Sequence, residues 1–290
     1  MRSFYLLPSK KLAVIWSQKC ACSSVVDWVV NEQFLTKGIE VDGDKRAFLQ
    51  SSPYTMPLKY MRPLLELNAI NFVAFTTRNP MQRMYSSYIN KFVIRNGKYL
   101  KKISQLESFS KEFLQEVISF EADSTEADST SLDNPANQPA FASAHGDFGL
   151  SFYSFLRFII KNSSTSSRLN PHFRPQILSG STLNLFKRIK RKTKIFPLRV
   201  ESFDDDLRRI NKCVGSDYIP PHINATKLPS DSCKTFNSFE LLNETSFSLI
   251  AAESLPSKES LAKFFQHHPK LKSSFMKFFD HDFSLIADYC

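Results

Sequence analysis

The sequence predicts an α/β fold with a P-loop-like parallel sheet, flanking helices and a helical C-terminal part. Short apolar runs typical of buried strands occupy residues 12–16, 71–76 and 194–200, and a helical pattern follows each of them. Strands that alternate with helices in this way are typical of a parallel sheet. The C-terminal part has a helical pattern interrupted at Pro256 and Pro269.

Length and charge narrow the possible functions. The 290 residues suffice for one large α/β domain or two small ones. Lys and Arg exceed Asp and Glu by 38 to 28, and a net charge of +10 favours an anionic ligand: a nucleotide, an acidic glycan, nucleic acid or a membrane surface. With only 7 glycines, the chain lacks the glycine-rich loop of a dinucleotide-binding fold.

The sequence favours a soluble, cytoplasmic protein. It contains no apolar stretch of about 18 residues, which a transmembrane helix would need. Lys10 and Lys11 interrupt the apolar N-terminus, so it does not resemble a signal peptide. The odd number and spacing of the 5 cysteines fit neither a disulfide framework nor a paired Cys-x-x-Cys zinc site. Cys20 and Cys22 could bind a metal or be redox-active, but the sequence favours small residues that fill a tight loop.

The first predicted strand leads through a loop containing Lys19 into a helix predicted at residues 23–35. The first N–H groups of a helix lack intrahelical partners and attract anions, and Lys19, Ser23 and Ser24 add donors there. The Walker spacing of glycines is absent, so an ordinary ATP or GTP site is not predicted. Taken alone, this pattern favours the alternative, a plain βα turn with one exposed lysine and a serine cap.

A second candidate anion site follows the strand at residues 71–76. Arg78 stands at the carboxyl end of this strand, where α/β sheets bind ligands, and Ser86 lies two turns into the helix predicted at residues 81–93. A guanidinium group and a hydroxyl together can clamp a phosphate. The alternative is an arginine that caps its own sheet edge and a serine on a polar helix face.

We expect a single domain over residues 1–290 with a flexible acidic insertion at about residues 121–145. Within it, Glu-Ala-Asp-Ser-Thr occurs twice in tandem, and few apolar groups are available for burial. The insertion is either a lid over a basic cleft or a solvated loop, and the composition favours the loop.

Both candidate anion sites belong to longer motifs. Residues 18–24 read Gln-Lys-Cys-Ala-Cys-Ser-Ser, close to the pattern Pro-Lys-x-Gly/Ala-Cys-Thr/Ser-Ser/Asn. The pattern Arg-Asp-Pro-x-x-Arg-x-x-Ser-x-Tyr-x-Asn-Lys-Phe is matched in register by Arg78, Asn79, Pro80, Arg83, Ser86, Tyr88, Asn90, Lys91 and Phe92. The chain therefore resembles the sulfotransferases that use 3′-phosphoadenosine 5′-phosphosulfate (PAPS). It looks most like the chondroitin- and dermatan-type carbohydrate sulfotransferases of sulfotransferase family 2.

Two later segments extend the resemblance over most of the chain. Residues 170–176, Asn-Pro-His-Phe-Arg-Pro-Gln, are similar to the family's Asn-x-His-Trp-x-Pro-Gln, and residues 278–283 with Tyr289 are similar to its terminal Tyr-x-x-Asp-Phe-x-x-Phe-x-Tyr. Gln18, Asn79 and Phe173 depart from the family's proline, aspartate and tryptophan. The relatives are often Golgi membrane proteins, but this sequence shows no membrane anchor or stem.

The resemblance implies a role for each motif in sulfuryl transfer from PAPS, without a metal. Lys19 would stabilise the leaving group, and Arg78 with Ser86 would bind the 3′-phosphate. The loop residues that would hold the 5′-phosphosulfate are Cys20, Ala21, Cys22, Ser23 and Ser24. His172 would be the general base, with His145 in reserve, and the alternative is that His172 only orders its loop. Arg174 would contact substrate.

The acceptor would be a hydroxyl of a carbohydrate or glycan-like molecule. The basic run at residues 187–194 is either a site for an anionic glycan or a solvated helix face, and no nucleic-acid-binding motif accompanies it. Two other functions remain open: a P-loop-like kinase, disfavoured by the missing glycines, and a non-catalytic module of the same fold that binds a nucleotide or an acidic polymer.

Overall fold

The computed structural model describes residues 3–17, 20–127, 139–162, 169–176, 180–190, 193–221, 234–251 and 254–290. The chain divides into two compact units. The first comprises Met1–Pro80, Pro175–Ala225 and Asp280–Cys290, and the second comprises Met81–Arg174 and Thr226–Phe279. None of the helices in these described ranges is long and apolar enough to cross a membrane.

The described strands are, in chain order, β1 (Ser3–Leu7), β2 (Leu12–Ile15), β3 (Thr55–Pro57), β4 (Phe72–Thr77), β5 (Ile94–Arg95), β6 (Lys98–Tyr99), β7 (Phe141–Ala142), β8 (Phe148–Gly149), β9 (Lys194–Arg199), β10 (Lys234–Phe236) and β11 (Ser254–Pro256). The described α-helices are α1 (Cys22–Gln33), α2 (Lys45–Ser51), α3 (Met61–Glu66), α4 (Pro80–Tyr88), α5 (Ser108–Ala127), α6 (Phe152–Lys161), α7 (Gly180–Ile189), α8 (Phe203–Val214), α9 (Ser246–Ala251), α10 (Ser260–His267), α11 (Pro269–Phe278) and α12 (Asp280–Tyr289).

Five described strands form the central sheet of the first unit, in the order β3-β1-β2-β4-β9. The three predicted strands, β2, β4 and β9, are parallel neighbours, which confirms the α/β fold and the parallel part of the sheet. The sequence analysis missed β1 and β3, which pair antiparallel at the other side and make the sheet mixed. A tight turn at Pro8–Lys10, followed by Lys11 in a left-handed conformation (φ 47°), joins β1 to β2 as a hairpin.

Both faces of this sheet are covered by helices. Along β2, Leu12 and Val14 face one hydrophobic cluster, whereas Ala13 and Ile15 face another. Successive side chains of a strand point to opposite faces, so a strand buried on both sides reads as the continuous apolar run seen in the sequence. Helices α1 and α8 cover the first face, and α7 and α12 contribute to the second.

Aromatic side chains dominate the core of the second unit. Phe173 is fully buried, and its ring centroid lies 4.9 Å from that of Phe113, 5.1 Å from that of Phe155 and 6.3 Å from that of Phe92. Phe92 lies in a π-helical turn, Ile89–Val93, that continues α4. The phenylalanine at position 173, where the family has tryptophan, therefore fills a core position.

Both ends of the predicted acidic insertion form regular structure. Helix α5 continues to Ala127, and residues 141–142 form β7, so the predicted loop is wrong at both of its ends. The Glu121 carboxylate accepts a 2.6 Å hydrogen bond from the backbone N–H of Ala140. Residues 128–138 lie outside the described part of the chain.

Candidate active site

The predicted phosphosulfate loop joins β2 to α1 in the first unit. Strand β2 ends at Ile15, and α1 begins at Cys22. Gln18 and Lys19 lie outside the described residues, so the catalytic role of Lys19 remains a prediction.

Ala21 is the residue that turns the chain into α1. It has a left-handed backbone conformation, with φ 52° and ψ 29°, and its side chain provides no cap for the helix. Only glycine adopts this conformation without a steric penalty, so the loop carries local strain at Ala21. The strained turn sets the direction in which α1 starts.

The N-terminus of α1 is suited to bind an anion. The first intrahelical hydrogen bond joins Val25 N–H to the Ala21 carbonyl, so the N–H groups of residues 22–24 precede it. The first turn carries no acidic residue. Over a helix of 12 residues, the aligned peptide dipoles favour negative charge at this end.

Cys20 differs from the other predicted loop donors. Its backbone N–H donates a 3.3 Å hydrogen bond to the carbonyl of Ser17, within the loop itself. Its side chain is fully buried and accepts a hydrogen bond from the Gln176 amide. Donor binding by the Cys20 N–H remains a prediction, whereas the contacts of Cys20 hold the loop together.

The two serines of the loop have different surroundings. Ser23 is half-buried, whereas Ser24 is buried and its hydroxyl donates to the Pro221 carbonyl at 3.4 Å. The Ser24 hydroxyl therefore attaches α1 to the segment after α8. Its backbone N–H, by contrast, belongs to the group at the helix N-terminus.

Buried acids on α1 extend this attachment. Asp27 accepts a hydrogen bond from the Tyr218 hydroxyl, and Glu32 accepts one from the Ser216 hydroxyl. Burial, together with the hydrogen bond to Asp27, raises the pKa of Tyr218 to about 12. Helix α1 is thus fixed behind the candidate donor loop along most of its length.

Arg78 lies at the same edge of the sheet as the loop. It directly follows β4, which is flanked by β2 and β9, and its side chain is largely buried. The backbone N–H of Ser17 donates to the Thr76 hydroxyl at 2.9 Å, which joins the start of the loop to the end of β4. Arg78 therefore stands, as predicted, at the carboxyl end of a parallel strand, where α/β sheets bind ligands.

Glu201 is an acidic neighbour of Arg78 that the sequence analysis missed. Its Oε1 lies 4.0 Å from Arg78 Nε, just beyond the end of β9. Thr77 and Arg199 are register partners in the paired strands β4 and β9, so the residues that follow each strand emerge side by side. The signal available in the sequence was the position of Glu201 after a predicted strand.

Ser86 and His172 lie in the second unit. Ser86 is half-buried in α4, and the neighbouring Ser87 donates a hydrogen bond to the His172 carbonyl. The His172 N–H donates to Asn170 Oδ1 at 3.0 Å, and its ring stacks on Phe109 at 6.3 Å between centroids. The turn that carries the predicted base is therefore fixed to the helix that carries the predicted phosphate-binding serine.

The side chain of Arg83 also binds the segment that carries His172. It is fully buried, its Nη2 donates to the Arg174 carbonyl at 2.9 Å, and its guanidinium lies 5.5 Å from the Phe279 ring centroid. Arg174, predicted to contact substrate, has a largely buried side chain. A contact between Arg174 and substrate therefore remains a prediction.

The reserve base, His145, lies in a different environment. It is exposed in the turn between β7 and β8, and its carbonyl accepts a 3.2 Å hydrogen bond from Lys102 Nζ. Its imidazole is not held by a packed turn like that of His172.

The basic run lies at the opposite edge of the sheet from Arg78. Lys187, Arg188 and Lys190 are exposed near the end of α7, and Lys194 begins β9. A strand rises about 3.3 Å per residue, so the two ends of β9 are roughly 17 Å apart. The described part of the run therefore does not line the edge that carries Arg78.

Comparison with known proteins identifies the family of this chain. No curated protein and no solved structure matches it significantly. A model described as "Sulfotransferase family" matches residues 3–286, which include both predicted anion-binding motifs and the segment of His172. The chain therefore belongs to the sulfotransferase family.

Proposed function

We propose that this protein is a PAPS-dependent sulfotransferase that acts on a hydroxyl of a carbohydrate or glycan-like acceptor by in-line displacement. Membership of the family carries the sulfotransfer activity. The resemblance of residues 18–24 and 78–92 to the chondroitin- and dermatan-type enzymes supports PAPS as donor and a carbohydrate as acceptor.

One observation carries the donor assignment: Arg78 and the N-terminus of α1 both follow the carboxyl ends of neighbouring parallel strands. Both features attract anions. The N–H groups of residues 22–24 and the Ser23 hydroxyl would hold the 5′-phosphosulfate. The motif supports Arg78 and Ser86 as the residues that bind the 3′-phosphate, and Lys19 as the cation that offsets charge on the leaving group.

PAPS, when bound, supplies the sulfuryl group, and the chain must remove a proton from the acceptor hydroxyl. His172 is the proposed base, because histidine titrates near neutral pH. Its Nδ1 is buried, so we assign proton transfer to Nε2. The hydrogen bonds to its carbonyl and N–H fix the backbone of His172, and its ring stacks on Phe109.

The net charge of +10 favours an anionic acceptor. Glycans that carry uronate or sulfate groups are therefore the first acceptors to screen. The exposed lysines of the basic run lie away from Arg78, so we propose no direct role for them in donor binding.

Calorimetric titration with 3′,5′-ADP, 5′-AMP and ATP tests the donor assignment. We expect a clear preference for 3′,5′-ADP that Arg78→Ala abolishes, because only this nucleotide carries the 3′-phosphate. Arg62→Ala is the matched control, since Arg62 is exposed on α3 and pairs with Glu66. Equal binding of the three nucleotides by the wild type would overturn the proposal.

A second experiment separates the enzyme from a non-catalytic module of the same fold. His172→Ala should strongly reduce turnover and leave 3′,5′-ADP binding intact. A wild-type protein that binds 3′,5′-ADP but sulfates none of the screened glycans would favour the binding module.

A further inference from the structure

One buried glutamine of the first unit joins three separate segments of the chain. Gln176 Nε2 lies 3.0 Å from Cys20 Sγ and 3.4 Å from the Thr76 carbonyl oxygen. The backbone N–H of Gln176 donates to Asp282 Oδ2 at 2.9 Å. The three partners belong to the candidate donor loop, to strand β4 and to helix α12.

We propose that Gln176 is a positioning residue that fixes the donor loop against the end of β4. This inference rests on the proposed function, because it assigns to Gln176 the alignment of the groups that would bind the donor. The sequence analysis placed Gln176 in a family-like segment but gave it no role.

The orientation of the Gln176 amide follows from its partners. The Thr76 carbonyl can only accept a hydrogen bond, so the NH₂ group must face it. The same nitrogen reaches the Cys20 sulfur, a weaker acceptor, with its second proton. One amide therefore links the loop to the strand.

Burial makes these contacts effective. The exposed fractions are 2% for Gln176, 0% for Cys20 and Thr76, and 1% for Asp282. Water has almost no access to replace a lost partner, and polar networks in such surroundings specify one arrangement of the chain.

Thr76 is also bound on its other side. Its hydroxyl accepts from the backbone N–H of Ser17, so both Ser17 and Cys20 are tied to β4. In the sequence, Ser17 and Cys20 stand on either side of Gln18 and Lys19. Arg78 follows Thr76 by two residues, and the network therefore sets the start and end of the loop relative to the strand that carries Arg78.

Helix α12 supports the glutamine itself. Asp282 holds the Gln176 backbone, which leaves the Gln176 side chain directed at the loop and the strand. The terminal motif of the family contains this aspartate, and its side chain thus acts on the donor loop through one intermediate residue.

The test compares Gln176→Met with Gln33→Met. Both glutamines are buried in the first unit, and methionine keeps the side-chain length while removing the amide. Gln33 lies at the far end of α1 from the loop, so it controls for the general cost of losing a buried amide. Thermal unfolding identifies a temperature at which both variants are folded.

The first measurement is hydrogen exchange of the backbone amides of residues 12–25. We expect Gln176→Met to accelerate exchange in this segment by about tenfold, because the loop loses its link to β4. Gln33→Met should leave exchange there unchanged. Unchanged exchange in Gln176→Met, or equal acceleration in both variants, would overturn the proposal.

The second measurement is affinity for 3′,5′-ADP. Gln176→Met should weaken it by about tenfold, since small displacements of binding groups are costly. In a Cys20→Ala background the same substitution should have a smaller effect, and additive effects would contradict coupling through Cys20. If the wild type does not bind 3′,5′-ADP while exchange responds as expected, the proposed function fails and the role of Gln176 in holding the loop stands.

Discussion

The hydroxyl of Ser87 donates a hydrogen bond of 3.1 Å to the carbonyl oxygen of His172. Ser87 is buried, and it follows directly after Ser86, the serine predicted to bind the 3′-phosphate. Two adjacent serines of α4 thus have different tasks. One is a candidate ligand for the donor, and the other fixes the backbone of the candidate base.

Substitution of the two serines should separate these tasks. Ser87→Ala removes the hydrogen bond to His172, so we expect kcat to fall by about three- to tenfold with little change in 3′,5′-ADP affinity. Ser86→Ala should weaken 3′,5′-ADP binding instead. Steady-state kinetics measures kcat and calorimetry measures the affinity for 3′,5′-ADP in both variants. Equal changes of kcat and of affinity in the two variants would refute the separate roles.

The choice of base can be decided between the two histidines. His172→Ala should lower kcat by about 10²- to 10⁴-fold, the range for loss of a general base, and should leave 3′,5′-ADP binding unchanged. His145→Ala should remain active, because His145 is exposed in a surface turn. Loss of turnover in His145→Ala alone would transfer the role of base to that residue.

Glu201 should weaken the anion site that contains Arg78. Its carboxylate lies 4.0 Å from Arg78 Nε and opposes a second negative charge there. Glu201→Gln should tighten 3′,5′-ADP binding by about two- to fivefold, the range for a solvent-accessible ion pair. Glu66→Gln, on exposed α3, is the control. Weaker binding in Glu201→Gln would mean that Glu201 instead orients Arg78 for the ligand.

The left-handed conformation of Ala21 gives a prediction about stability. Ala21→Gly removes the steric penalty of φ 52° and should raise the free energy of unfolding by about 1 kcal/mol. Ala13→Gly, in buried strand β2, should lower it, because glycine weakens a strand interior. Denaturant unfolding of both variants measures the difference. A loss of stability in Ala21→Gly would show that the methyl group is needed in the loop.

The hydroxyl of Tyr218 should make stability depend on alkaline pH. Burial and the hydrogen bond to Asp27 raise its pKa from 10.0 to about 12. The folded state therefore holds the proton more tightly than the unfolded state, so this contribution is complete below about pH 10 and is lost as the pH rises toward 12. Tyr218→Phe should reduce the decline in stability over this interval. The assignment would be contradicted if the free energy of unfolding fell equally in wild type and variant between about pH 10 and pH 12.

Much of the fold follows from local patterns. The apolar runs of β2, β4 and β9 identify buried strands because side chains on both of their faces must be apolar, and the helical pattern after each run implies parallel pairing. The position of Arg78 at a carboxyl end follows from the same pattern. Strand β3 escaped prediction because its three residues are too few for a periodic signal, whereas β1 was missed although its sequence, Ser-Phe-Tyr-Leu-Leu, is about as apolar as that of the four-residue β2.

By itself, the sequence determined the α/β class, the family motifs and the residues at which a phosphate-binding site is predicted. Tertiary structure alone decided which polar groups support that site. Gln176 and Cys20 are 156 residues apart, and Ser87 and His172 are 85 apart. No periodic pattern records such pairs, because their contact depends on how the packed core brings distant backbone segments together.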